Sequence, residues 1–282
     1  MKPVKYYPLL VVGATFTGIG IAKAAGQNAL VVDSYSQPGH EFIACYRPGG
    51  HWDRSTRTEQ GERLLRQLVQ RHVLDADGRL HIPAVLPVWC EFIRQELPTP
   101  LLLTTITDIR PHPDGYAVTI FNVSGLETFI VGRIIDTTAQ GLAHLGVAPP
   151  AVVGKSINAM LHHPEPAGLT PQSFDRRVTF ARGKFDSEWI LKVELQPSDD
   201  WITARRKLHD LWSARPESLR SWKIAAVADT FELRVQQGPS EIKPNWLRLP
   251  SGAYANLLEA FEEGVLFAGQ RGVEHEPIAV DP

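Results

Sequence analysis

The 282-residue chain carries 29 Lys and Arg against 31 Asp and Glu, a formal net charge of −2, which does not suit a protein that binds nucleic acid by neutralising phosphates. It holds no apolar run long enough (about 18 residues) to predict a membrane-spanning helix. Its two cysteines, Cys45 and Cys90, stand far apart, so neither a disulfide framework nor a cysteine zinc site is expected, and the composition reads as a cytoplasmic protein with two reduced thiols.

The first predicted element is a strand at Leu9–Val12, followed by the turn Gly13-Ala14-Thr15-Phe16-Thr17-Gly18, a helix over Ile19–Gly26, and a second strand, Ala29–Val32, that ends on Asp33. This is the layout of a dinucleotide-binding βαβ unit. The turn joins strand to helix, the helix start offers free N–H groups and a positive dipole end to a diphosphate, and Asp33 stands where it can accept from a ribose hydroxyl. Thr15 replaces the middle glycine of that pattern and puts a Cβ where the backbone approaches the phosphates most closely. Lys2 and Lys5 ahead of an apolar stretch, with Ala24-Ala25-Gly26 beyond it, also suggest a signal peptide. Threonines and glycines interrupt that stretch and an acid-tipped strand follows it, so the βαβ reading is preferred.

Ser34–Asp53 contains Gln37-Pro38-Gly39 and Arg47-Pro48-Gly49-Gly50 and reads as an irregular loop. Helical spacing returns over 61–73 and 84–97. A strand is predicted at Leu101–Ile106. Alternation over Tyr116–Val123 and the run Phe129–Val131, with turns at Asp114-Gly115 and Ser124-Gly125, complete a small antiparallel meander. Arg133–Asp136 is a further apolar strand rejoining the main sheet. Pro149-Pro150 and His162-His163-Pro164-Glu165-Pro166 read as linkers; adjacent histidines point apart, so no metal site is expected.

Beyond 150, strands are predicted at Arg177–Arg182 and Trp189–Leu195. An amphipathic helix follows, begun by Asp199 and Asp200, with Trp201, Ala204, Leu208, Leu211 and Trp212 on one face. A second helix is expected over Ser218–Phe231. Gly264–Gly269 reads as a buried strand with a glycine at its tip.

In this order the pieces resemble flavoproteins of the glutathione-reductase type, in the branch of FAD-dependent oxidoreductases with a two-part FAD domain. The resemblance spans nearly the whole chain. It rests on Gly13, Gly18 and Asp33, on Pro38-Gly39, on Ile134-Ile135-Asp136-Thr137-Thr138-Ala139-Gln140-Gly141, and on Leu266-Phe267-Ala268-Gly269-Gln270-Arg271. It implies an α/β fold: a Rossmann-like FAD-binding domain over 1–150 and 255–282 with the meander inserted, and a smaller α+β substrate subdomain over 151–254. It implies FAD held by Gly13, Thr15, Phe16, Thr17, Gly18, Asp33, Ser34, Pro38, Gly39, Thr138, Ala139, Gly269, Gln270 and Arg271. Thr15, Ala139 in place of a turn glycine, and the few residues after Arg271 depart from the family pattern, the last leaving little length for the helix that faces the flavin pyrimidine there.

The expected activity is oxidation or reduction of a small organic substrate by hydride transfer through the flavin. His40, Cys45 and His51 in the loop, and Arg234 as a binder of a substrate carboxylate, are the catalytic candidates. A degenerate flavoprotein serving a larger oxidoreductase and an NAD-binding dehydrogenase are the other readings. The small substrate subdomain leaves room for a homo-oligomer or a partner subunit; neither nucleic acid nor a membrane is expected as a partner.

Overall fold

A computed structural model describes residues 4–96, 99–140, 142–165 and 168–270; Lys2, Gly141, Pro166 and Arg271 among the residues singled out above lie outside them. The first strand, β1 (Tyr6–Val12), is buried throughout Leu9–Val12 because each face of it serves a different core. Leu9 and Val11 join a helical layer, while Leu10 and Val12 join the layer beneath the antiparallel strands. A run apolar at every position is what a parallel strand covered on both sides requires.

Chain order continues with α1 (Phe16–Ala25), β2 (Ala29–Val32), α2 (Glu59–Gln70), α3 (Val85–Glu96), β3 (Thr105–His112), β4 (Gly115–Asn122) and β5 (Gly125–Asp136). β1 lies between β2 and β5, parallel to both, with Val12 level with Val32 and with Asp136. Two expected strands, Phe129–Val131 and Arg133–Asp136, are one: β5 runs unbroken, its first half antiparallel to β4 and its second half parallel to β1. The strand expected at Leu101–Ile106 starts later, at Thr105. Leu101 makes a single bridge beside Val32, and Leu103, at φ 49°, turns the chain before pairing with β4 begins.

The second sheet is built from β6 (Val152–His162), β7 (Val178–Arg182), β8 (Glu188–Glu194), β9 (Lys223–Val227) and β10 (Glu232–Val235), in the order β10-β6-β8-β7 with β9 also on β6. α4 (Trp201–Ser213) lays Ala204, Leu208 and Trp212 over it, and the Asp200 side chain caps the helix by accepting from the Thr203 N–H. The helix expected over Ser218–Phe231 is absent. β9 and β10 occupy that stretch because β6, longer than its neighbours, offers edge length that both complete.

The chain then returns to the first sheet with β11 (Ser240–Lys243) and β12 (Trp246–Arg248), earlier than the expected boundary at 255. β12 lies parallel to β5, Arg248 level with Asp136. The last element, α5 (Leu257–Gln270), corrects the strand expected at Gly264–Gly269. Leu257, Ala260, Phe261, Gly264 and Ala268 recur at helical spacing and form its buried face. That face meets α1 closely: a Cβ on Gly264 would stand 2.1 Å from the Thr17 carbonyl oxygen, and one on Gly20 2.1 Å from that of Phe261. Thr17 Oγ1 also donates to the Ala260 carbonyl at 2.8 Å.

Candidate dinucleotide site and cationic basin

The carboxyl ends of β1, β2 and β5 meet at one rim, and the chain between β1 and α1 crosses it. Gly13 takes φ +100°, and a Cβ there would stand 2.8 Å from Thr137 Oγ1 and 2.9 Å from the Thr138 methyl group, so a side chain is barred twice over. Thr15 does not obstruct the rim as its position in the motif suggests. Its buried side chain turns inward as the N-cap of α1, where Oγ1 accepts from the Gly18 N–H at 3.0 Å and shares a hydrogen bond with Thr137 Oγ1 at 2.7 Å.

Asp33 closes β2 beside this turn. Its Oδ2 accepts from the Ala14 N–H at 2.7 Å and its Oδ1 from the Tyr35 N–H at 2.9 Å. Burial outweighs these bonds and pushes the carboxyl up to about 6. His40 stacks on Tyr35 with ring centroids 3.6 Å apart and brings Nδ1 to 3.7 Å from Asp33 Oδ2. Burial holds its imidazole neutral, pushed down to about 3, so it is no proton carrier near neutral pH.

A cavity of about 180 Å³ opens at this rim. Of the expected cofactor residues, Gly13, Thr15, Asp33, Ser34, Thr138 and Ala139 line it, together with Tyr35, His40, Glu41, Thr104, His144 and Thr230. Thr17 and Gly18 lie behind it, facing α5 and the turn. The Phe16 ring is buried, stacked 4.3 Å from Trp89. Pro38 is buried, and Gly39, at φ +72°, donates its N–H to the Ala14 carbonyl and lies against the Phe16 ring, bracing the turn rather than facing the cavity. Gly269 and Gln270 end α5 and do not line the cavity. The place the sequence reading gave them beside the rim belongs to the segment after β12, where Leu249 donates to the Asp136 carbonyl and Ser251 to the Thr137 carbonyl.

Two residues that the motifs did not flag stand at the start of α1. Glu41 Oε1 accepts from the Phe16 N–H at 2.8 Å and from Ser251 Oγ at 2.7 Å, and Ser251 Oγ accepts from the Thr17 N–H at 3.3 Å. The helix start that would receive a diphosphate thus holds an internal carboxylate. Its Oε2 is buried and has no hydrogen-bond partner among the described residues.

A second, larger cavity of about 490 Å³ lies between the loop Arg47–His51 and the face of the second sheet. Arg47, Lys155, Arg177, Lys192 and Arg234 line it against Glu194 and Glu232, so cations outnumber acids. Arg47 is buried: it donates to the carbonyls of Gly252 and Tyr254 and stands 3.6 Å from Glu232 Oε1. Glu232 also accepts from Lys192 Nζ at 2.6 Å and from Asn158 Nδ2 at 2.7 Å, and these cations hold it below the usual carboxylate range despite its burial. Arg234 lies over Gly154, and among the described residues its guanidinium has no hydrogen bond or ion pair. His51, at φ 57°, also lines this cavity. Cys45 is buried in neither cavity's wall, donates Sγ–H to the Glu41 carbonyl, and has its thiol pushed far up by burial, which rules out a thiolate nucleophile.

These residues fit a dinucleotide at its adenosine end, where Asp33 and the Gly13 turn meet an open rim. Ligand pockets commonly span ~300–1,000 Å³, so the first cavity, at about 180 Å³, is smaller than a whole dinucleotide requires. Among the described residues no group of His, Cys, Asp and Glu is placed to hold a metal, and no helix is long and apolar enough to cross a membrane.

No protein-family model matches the chain, and no curated protein matches it. Solved structures do. Glycine oxidase from Geobacillus kaustophilus aligns over 98% of this chain and 97% of its own with a TM-score of 0.63 at 12% identity. p-Nitrophenol 4-monooxygenase PnpA from Pseudomonas putida DLL-E4 aligns over 94% of this chain and 78% of its own, TM-score 0.56, 12% identity. The flavin-dependent monooxygenase PieE, solved with FAD and substrate, aligns over 93% of this chain and 56% of its own, TM-score 0.60, 14% identity. At such identities the likeness is one of architecture: the chain has the fold of this oxidase and these monooxygenases.

Proposed function

We propose that the chain binds FAD along the rim of the first sheet and catalyses the oxidation or reduction of a small organic anion in the cationic basin. The observation that carries this reading is the convergence of the Gly13 turn, Thr15 at the cap of α1, and Asp33 on one cavity, in a fold shared with a flavin-dependent monooxygenase that was solved holding FAD. The two-part FAD domain of the glutathione-reductase type is part of the same proposal.

Each residue then has a task. Asp33 accepts from an adenosine ribose hydroxyl, since it stands at the β2 tip with the charge spread over two backbone N–H donors. Thr138 and Ala139 form the wall at the β5 end. The N–H groups at the start of α1 receive the diphosphate. Bound FAD supplies the two-electron carrier for hydride transfer. Arg234, with a planar fork unengaged among the described residues, binds a substrate carboxylate. Tuned acids and bases are not required of the protein.

The experiment is the absorbance spectrum of the purified protein, with FAD titration, followed by anaerobic bleaching against amino acids, amines and alcohols. Flavin bands that bleach with a carboxylate-bearing substrate are expected. A colourless protein that takes up no added FAD over the whole range from pH 6 to 8 refutes the proposal.

A further inference from the structure

The seat at the start of α1 is occupied by the chain itself. In the geometry above, Glu41 takes the Phe16 N–H and the Ser251 hydroxyl, the donors that stand nearest the turn where a diphosphate is received. Two anions cannot share those donors: a carboxylate and a diphosphate at hydrogen-bond range repel each other strongly in a site with little water. From this competition we infer that Glu41 decides whether the dinucleotide is held, and that the diphosphate is captured only when Glu41 carries a proton. The inference rests on the reading of the cavity as an FAD site.

Three observations support it independently of the motif. Glu41 Oε2 is buried and, among the described residues, has no hydrogen-bond partner, so one acceptor position of the carboxyl is left unused, and a proton there would turn it into a donor. Ser251 belongs to the segment that follows β12, distant in sequence, and serves the same seat through both its hydroxyl and the Thr17 N–H that it accepts. Burial, partly offset by the Ser251 and Phe16 bonds and reinforced by the nearby Asp33 charge, pushes the Glu41 carboxyl up to about 7, so both forms are populated near neutrality.

Among the described residues no cation stands where it would settle the charge of Glu41. Asp33 faces it from the end of β2, His40 adjoins it and is neutral, and Cys45 donates to its backbone carbonyl with the thiol protonated. His144 stands on the cavity wall beyond, bonded to the Ile106 carbonyl. Arg47 reaches the Gly252 carbonyl next to Ser251, but its ion pair is with Glu232. Among the described residues no ion pair to Glu41 exists.

The test is isothermal titration of the apoprotein with FAD between pH 6 and 8.5, in buffers of different ionisation enthalpy so that proton uptake is counted, on the wild type, Glu41→Gln and Glu41→Ala. The wild type is expected to take up about one proton per FAD above pH 7, and its affinity to weaken about tenfold per pH unit there. Glu41→Gln should lose both effects and bind at least tenfold more tightly than wild type at pH 8; Glu41→Ala, which empties the seat, should show the same loss of pH dependence. Wild type and variants that bind FAD equally at pH 6 and 8 overturn the inference and leave the FAD reading standing, as does an unchanged pH slope in Glu41→Gln. Failure of all three proteins to bind FAD at every pH overturns the FAD reading itself, and this inference with it.

Discussion

The position of the start of α1, and so of the whole rim, is set by α5, and Gly264→Ala tests this. Helix propensity alone predicts that the substitution stabilises an interior helical position by about 1 kcal/mol. The structure predicts the reverse. The new Cβ would stand 2.1 Å from the Thr17 carbonyl oxygen and 3.0 Å from the Ile21 nitrogen, both backbone atoms of α1 that no rotamer change can move. Restoring contact requires the helices to separate by about 1 Å, and a gap of that size forfeits roughly a quarter to a half of the dispersion energy across the interface. It also breaks the bond from Thr17 Oγ1 to the Ala260 carbonyl, worth about 1 kcal/mol. Overpacking of this kind costs up to about 3 kcal/mol, so the net loss is about 3 kcal/mol after the propensity gain. For a chain of this size that lowers the melting temperature by roughly 5 °C, measurable by circular dichroism or scanning calorimetry. Gly50→Ala serves as control, because a Cβ at Gly50 has nothing within 4 Å and should change stability by less than about 0.5 kcal/mol. A Gly264→Ala protein that melts at or above the wild-type temperature refutes the claim that backbone contact between α1 and α5 fixes the rim.

Arg47→Met should destabilise the protein by about 3 kcal/mol in urea unfolding, because it leaves the buried Glu232 with Lys192 as its remaining cation. A loss below about 1 kcal/mol would show that the pair does not tie the loop at Arg47 to the second sheet. Asp33→Asn tests the buried acid. With its folded value raised to about 6 from 3.8, Asp33 binds a proton more tightly folded than unfolded, so it makes stability fall as pH rises through the window from about 4 to about 6. The wild type should lose about 3 kcal/mol relative to the variant across that window, read as the difference between two stability–pH curves. The neutral, buried His40 slopes the other way and is common to both proteins; parallel curves would refute the assignment.

What the sequence made legible follows the range over which each element is decided. The β1–α1–β2 unit is local: its strands are apolar at every position, its turn needs glycine at 13 and 18, and Thr15 is a residue type that caps helices. At the middle glycine position of the motif that signal is easily masked, yet the hydroxyl at 15 completes the turn. α5 is ambiguous in sequence because six apolar or small residues, Gly264 to Gly269, suit a buried strand and a buried helix equally. The helical repeat emerges only when Leu257 and Phe261 are counted with them. The three-residue β12 has no periodicity to detect, and the supposed helix at Ser218–Phe231 yields to the unfilled edge of β6, a decision taken by a strand some sixty residues earlier in the chain. Glu41 and Ser251 are the extreme case. They are 210 positions apart, neither belongs to a spacing rule, and their meeting follows from α5 packing on α1 and β12 pairing with β5. Motifs report the groups that offer donors to a ligand, since those must lie close along the chain. They are silent on the group that competes with the ligand for the same donors, because any residue the fold delivers to that point will serve. Such a competitor has to be sought in the structure, as an internal anion at a helix start with one oxygen left unbonded.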